Sequence, residues 1–210
     1  QAPATSGVTT NDKVVTVNVP TTAPATPVVT TVANNAQPAQ AASAAQGMEG
    51  FRKVNPDQIP GNAVKLISDA FIITAGNDEL FNPMAGGWGG LGNLFNRPVA
   101  YCFIDPSRYT YGIMQKNDTY TLSFYTPAYQ DAIQYVGTHS GNKVAGSKLT
   151  PITTPSGSKA FAEAWLIIEC KKIATQLLTP SSVTDAAVKA QYPNKQTEMF
   201  VGEIIGVWMK

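Results

Sequence analysis

The sequence predicts a mainly β fold, a barrel with small helices on its outside. Three observations carry that expectation. Apolar runs of strand length outnumber helical patterns. Thr119 to Phe124 alternates residue by residue, with Tyr120, Leu122 and Phe124 on one face and Thr119, Thr121 and Ser123 on the other. The helical stretches are short and are bounded by proline, glycine or capping residues.

Residues 1–47 stand apart from the rest. Ala, Thr, Val and Pro dominate them, Asp12 and Lys13 are their only charges, and they hold no aromatic residue and no leucine. Pro3, Pro20, Pro24, Pro27 and Pro38 remove donors and favour extended backbone. The expectation is a flexible tether over 1–47 and a globular domain over 48–210. The alternation Val15, Val17, Val19 allows one docked strand in the arm. Spacers of this composition are found on exported bacterial proteins, so a bacterial cell envelope or periplasmic location is expected, with the cytoplasm as the alternative.

Along the domain, strands are expected at Phe71 to Ala75, Pro98 to Ile104, Thr119 to Phe124, Trp165 to Ile173 and Phe200 to Met209. A short helix is expected from Tyr109 to Lys116. A second has Thr126 as cap, Pro127 at its first position, a stripe of Ala132, Ile133 and Val136, and Gly137 at its end.

The chemistry concentrates in three places. Asn82 to Gly92 reads as a loop holding Gly86, Gly87, Gly89, Gly90 and Gly92 around Trp88. Bare backbone there would let N–H groups near Met84, Ala85, Gly86 and Gly87 approach a flat ligand. Trp88 would pack beside that ligand or plug the barrel end. Next come Ser107, the candidate N-cap, with Arg108, Tyr109 and Thr110. A guanidinium and two hydroxyls at a helix start suit a phosphate. Last, Thr138, His139, Ser140, Gly141 and Lys143 follow a helix end. Lys143 or Lys148 would serve the same anion, and His139 is a weak general-acid candidate.

Composition excludes several classes. The chain has 210 residues, a formal charge of +1 and 14% charged residues, so nothing draws it to nucleic acid or an anionic surface. No apolar stretch approaches the roughly 20 residues of a membrane span. With one histidine and two separated cysteines, no metal-ligand spacing exists. Cys102 and Cys170 sit in apolar runs and read as buried thiols, with a cross-strand disulfide left open.

The ordered stretches resemble the flavin reductase-like, FMN-binding split-barrel family, flavoredoxin-like in type. The family shows a run similar to N-T-M-T-A-S-W-G-G-L-G and then R-P-S-R-Y-T; this chain has NPMAGGWGGLG and DPSRYT. Ile73-Thr74-Ala75-Gly76, Thr121 to Phe124, Gly137 to Gly141 before Leu149-Thr150-Pro151, Leu166 to Lys172 and Phe200 to Ile205 agree in the same order. The resemblance covers roughly Val64 to Lys210.

It implies an FMN-binding split β-barrel of Greek-key type and a homodimer. Hydride would pass from NAD(P)H to flavin N5 and electrons onward, with the acceptor open. The flavin would carry the chemistry, held by Asn82, Met84 to Trp88, Ser107 to Thr110, His139 to Gly141 and Lys143. Pro83, Ala85 and Gly87 stand where the family carries hydroxyls, and Asp105 where it carries arginine. The alternatives are an envelope-tethered FMN carrier fed by a donor protein, without NAD(P)H turnover, and a barrel that has lost flavin and acts as a binding module.

Overall fold

The structure, a computed structural model, describes residues 45–141 and 143–210. The strands are β1 (Arg52–Val54), β2 (Phe71–Gly76), β3 (Phe81–Gly86), β4 (Gly89–Leu94), β5 (Arg97–Ile104), β6 (Thr119–Phe124), β7 (Pro151–Thr153), β8 (Lys159–Phe161), β9 (Leu166–Leu178) and β10 (Thr197–Met209). The helices are α1 (Ala63–Ser68), α2 (Tyr109–Lys116), α3 (Gln130–Thr138), α4 (Val144–Ser147) and α5 (Ala186–Gln191). Among the described residues, no helix is long and apolar enough to cross a membrane.

The fold is mainly β, as the alternation predicts. One antiparallel sheet runs β3-β2-β6-β9-β10-β5-β4, with β1 added to β10. Strands β3 and β4 lie at the two ends of that order, yet Gly87 and Trp88 alone separate them in the chain. The chain therefore leaves one sheet edge and joins the other within two residues, which curls the sheet into a split barrel. Tyr120, Leu122 and Phe124 point into the barrel among Phe71, Met114 and Phe200. The other face of β6 is not solvent-exposed. The β7–β8 hairpin covers it, with Thr121 Oγ1 donating to the Lys159 carbonyl at 2.6 Å and Ser158 Oγ to Thr119 Oγ1 at 2.7 Å.

The glycine window corrects a sequence expectation. Asn82 to Gly92 is not a loop: it is β3, a two-residue link and β4. Three of its glycines serve packing. A Cβ on Gly86 would sit 2.9 Å from the Phe71 ring, one on Gly89 2.3 Å from the Tyr101 carbonyl oxygen, and one on Gly90 2.3 Å from the Tyr101 hydroxyl. Only at Gly87 and Gly92 is the space open, and none of the five has positive φ. Close packing, not left-handed backbone, explains Gly86, Gly89 and Gly90.

Two helix boundaries also shift. Pro127–Tyr129 forms a 3-10 turn, and α3 proper starts at Gln130 and runs past Gly137 to Thr138. Ser107 is not the cap of α2. Arg108 holds that position, because Asp105 Oδ1 takes both the Ser107 N–H at 2.9 Å and its hydroxyl at 2.7 Å.

Cys102 and Cys170 are free, fully buried thiols. They lie on β5 and β9, which flank β10. Two strand spacings are about 9.5 Å, beyond the roughly 7 Å that a disulfide spans. Burial pushes the Cys102 thiol up to about 12, and the Tyr120 hydroxyl between the two strands donates to the Ala100 and Phe200 carbonyls at 3.4 and 3.5 Å. Gly202 leaves the room for that hydroxyl: a Cβ there would lie 2.6 Å from it.

The tether expected over 1–47 falls largely outside the described residues. Gln46 is described, and it exchanges backbone hydrogen bonds with Thr153 on β7 at 3.1 and 2.9 Å.

Candidate functional site

Three elements converge on one cleft of about 390 Å³. Its walls include Phe81 and Asn82 from β3, Tyr109 from the start of α2, Gly141 from the turn after α3 and Val144 from the start of α4. These are the three places that carry the chemistry in the sequence. Asn82 is buried, and its amide Nδ2 donates to Thr110 Oγ1 at 2.8 Å and to the Pro83 carbonyl at 3.1 Å. Accepting from Asn82 leaves the Thr110 hydroxyl hydrogen available as a donor.

Two cations adjoin the cleft walls. Arg108 precedes Tyr109 in the chain, and Lys143 precedes Val144. Lys143 is only 7% exposed. Burial first, and then the charge of Arg108, hold its ammonium below the usual lysine range. Among the described residues no carboxylate pairs with either cation: the ion pairs are Lys65–Asp69, Arg97–Glu203, Lys159–Asp78 and Lys195–Asp105. A largely desolvated ammonium near a guanidinium is an unbalanced charge, and an anion would balance it. Of the two candidate lysines, Lys143 is the one at this place; Lys148 is exposed at the end of α4.

The remaining expected residues divide. Met84 packs against the barrel core, while Ala85 faces α3, where a Cβ on Gly137 would come within 3.2 Å of the Ala85 Cβ. Helix α3 thus sits directly on β3. His139 folds back on its own helix. Its ring stacks on Tyr135 at 3.8 Å, and Nδ1 lies 3.0 Å from the Tyr135 carbonyl oxygen. Ser140 and Gly141 are exposed, and Gly141 takes φ +77 at the turn. Ser107 spends its donors on Asp105. Trp88 lines other clefts; its ring meets Tyr192 edge-on at 5.7 Å.

Sequence reasoning missed two groups. Asp78 and Lys159 form an ion pair at 2.7 Å, and Asp78 lines the cleft. The hydrogen bond from Lys159, together with its charge, holds the Asp78 carboxyl low. Lys195 pairs with Asp105 at 2.6 Å, so Asp105 does not pair with Arg108. Nothing in the local sequence couples Asp105 to a residue so far along the chain.

Comparison with known proteins gives the family. The family model described as Flavin reductase like domain matches residues 65–210. Among solved structures, flavoredoxin from Methanosarcina acetivorans is 23% identical with a TM-score of 0.53, covering 67% of this chain and 68% of its own. An FMN-binding domain of a flavin reductases-like enzyme from Shewanella baltica is 17% identical with a TM-score of 0.56, covering 76% of each chain. The NADH:FAD oxidoreductase of Streptomyces globisporus, solved with NAD and FAD fragments, is 13% identical with a TM-score of 0.52, covering 67% of this chain and 74% of its own. These likenesses show the fold. No curated protein sequence matches significantly. The match over residues 65–210, on a split barrel whose chemistry-bearing elements meet in one cleft, places this chain in the flavin reductase like domain family.

Proposed function

We propose that this chain binds FMN and works as an NAD(P)H-dependent flavin oxidoreductase. Family membership supports flavin-related redox chemistry as the class. One observation carries the phosphate: Lys143, nearly buried, lies within the field of Arg108 with no carboxylate partner among the described residues. A phosphate monoester carries up to two negative charges and fits that pair, so the donor set agrees with the group.

In this reading Arg108 and Lys143 hold the phosphate by charge-assisted hydrogen bonds. Thr110 donates its hydroxyl hydrogen, kept in place by the Asn82 amide. The first N–H groups of α2 have no side-chain cap and would add donors. Backbone groups from Met84 to Gly87 would meet the ring edge. The chemistry supplied by bound FMN is hydride acceptance at N5 and onward electron transfer. The chain's own work is to bind, orient and shield. A homodimer is part of the proposal.

The test is the visible spectrum of the purified chain, followed by NADH and NADPH oxidation with FMN added. Absorbance near about 450 nm that survives desalting, with turnover, supports the reading. Bound flavin without turnover favours the second reading, an electron carrier at the cell envelope, which the composition of residues 1–47 supports. A chain that neither retains nor takes up FMN sinks both and leaves a binding module.

A further inference from the structure

We propose that the cavity beneath residues 179–196 is a binding site for a small, neutral, aromatic molecule, separate from the anion-binding cleft. The segment joins β9 to β10 and carries α5. The cavity is about 340 Å³. Ligand pockets span roughly 300–1,000 Å³, so this one suits an occupant the size of a fused bicycle.

Its walls are apolar. Trp88, Phe103, Leu178, Val183, Val188 and Tyr192 face the space. The Trp88 and Tyr192 rings stand at 84° to each other and make a right-angled aromatic corner. A third ring inserted there would meet one face and one edge, the arrangement that aromatic quadrupoles favour.

The cover is loosely seated. None of the residues of α5 is buried, Val188 is 44% exposed and Trp88 is 45% exposed. A short helix with no residue in the core leaves apolar side chains wet at the cavity mouth. An apolar occupant would take that surface out of water.

Charge decides against an anion. Lys195 stands at the rim with its ammonium 5.9 Å from the Trp88 ring centroid, but Asp105 Oδ2 holds it at 2.6 Å and cancels its charge. Thr179 Oγ1, also at the rim, is occupied by Ser181 Oγ at 2.7 Å. Among the described residues, Lys195 is the cation that lines the cavity, and it is paired, in contrast to Arg108 and Lys143. Asp105 in this chain thus serves the cavity, through Lys195.

The experiment is calorimetric titration of the full chain with indole, and with indole-3-carboxylate as the charged control. Val188→Lys places an ammonium at the mouth from an exposed helix position, and Val183→Trp fills the space. Circular dichroism checks that each variant folds. The expected result is saturable, one-site binding of indole that each folded variant weakens by roughly tenfold or more, and a carboxylate that binds at least as much more weakly. Saturating FMN should leave the indole affinity unchanged. Absence of saturable binding, or affinity indifferent to both variants, overturns the proposal. So does displacement by FMN, which would move the molecule into the flavin cleft. A parent dimer that Val188→Lys dissociates would make this face an interface between copies, and the proposal would fall.

Discussion

The Asn82 amide donates to the Thr110 hydroxyl at 2.8 Å, with both residues buried and β3 thereby tied to the start of α2. That bond holds a strand against the helix end nearest Arg108 and Lys143, which have no carboxylate partner among the described residues. It also sets the direction of the Thr110 hydroxyl, since the oxygen accepts and its hydrogen must point elsewhere. Thr110→Val removes the acceptor while keeping the shape. It should destabilise the free chain by about 1–3 kcal/mol, the cost of a buried amide donor left short of a partner. Thr110→Ser should recover most of that loss. Urea unfolding of the three chains checks it, and a Thr110→Val chain as stable as the parent would dissolve the link.

Asp105 gives a pH-dependent expectation. Burial alone would raise its carboxyl. The hydrogen bonds from Lys195 and Ser107, with the Lys195 charge, outweigh that and bring it from 3.8 to about 2. The folded value lies below the unfolded one, so the stabilisation is present in full above pH 3.8 and is lost as pH falls through about 2. The pair is partly exposed, which limits its worth to about 1–2 kcal/mol. Asp105→Asn should therefore unfold at lower urea than the parent at pH 7. Near pH of about 2.5 most of that gap should close. A constant gap across this range would mean that the carboxamide loses packing or hydrogen bonds and not charge.

Sequence pattern captured the elements whose residues face the core and misread those whose role is set by distant neighbours. Helix α2 and strand β6 have the bounds that the sequence suggests, because Asp105-Pro106 and Asn117-Asp118 punctuate them and the alternation of β6 is complete. Strands β9 and β10 start or run on beyond their apolar stretches. Thr175, Gln176 and Leu177 are not buried, and pairing with β10 rather than packing keeps them extended. The glycines at 86, 89 and 90 look like a ligand loop, yet they answer to Phe71 and Tyr101, which local sequence does not reveal. Arg108 and Thr110 were legible as anion-binding types. That Lys143, and not Lys148, is buried within the field of Arg108 needed the folded chain.

The N-terminal boundary gives a graded truncation. Residues 1–44 carry no aromatic residue and no leucine, so they bring little that offsets ordering entropy. A chain starting at Ala45 should melt within a degree or two of the parent. A chain starting at Phe51 loses the Gln46–Thr153 pair and the packing of Met48 beside Ile152. It should melt roughly 3–8 °C lower, for a loss of about 1–2 kcal/mol. Scanning calorimetry of the three chains decides it; a large drop already at Ala45 would place part of the preceding arm on the barrel.

Lys143 offers the sharpest separation of stability from binding. In the free chain its ammonium is largely desolvated and faces Arg108, so it opposes folding. Lys143→Met keeps the length and apolar stem of the side chain and removes the charge. The variant should melt higher than the parent, by roughly 2–4 °C for each kcal/mol gained. If the pair holds the FMN phosphate, the same change removes a charge-assisted contact of about 1.5–3 kcal/mol, roughly 10- to 150-fold in affinity. Riboflavin, which has no phosphate, should lose little. Arg108→Ala should weaken FMN over the same range with a smaller rise in melting temperature, because Arg108 is exposed and its loss relieves the repulsion but not the burial of Lys143. Flavin fluorescence titration and thermal melts of the two variants read both effects. Equal losses for FMN and riboflavin would take the phosphate away from this pair. A less stable Lys143→Met chain would mean that Lys143 supports the fold, and the unbalanced charge could not then be read as a binding site.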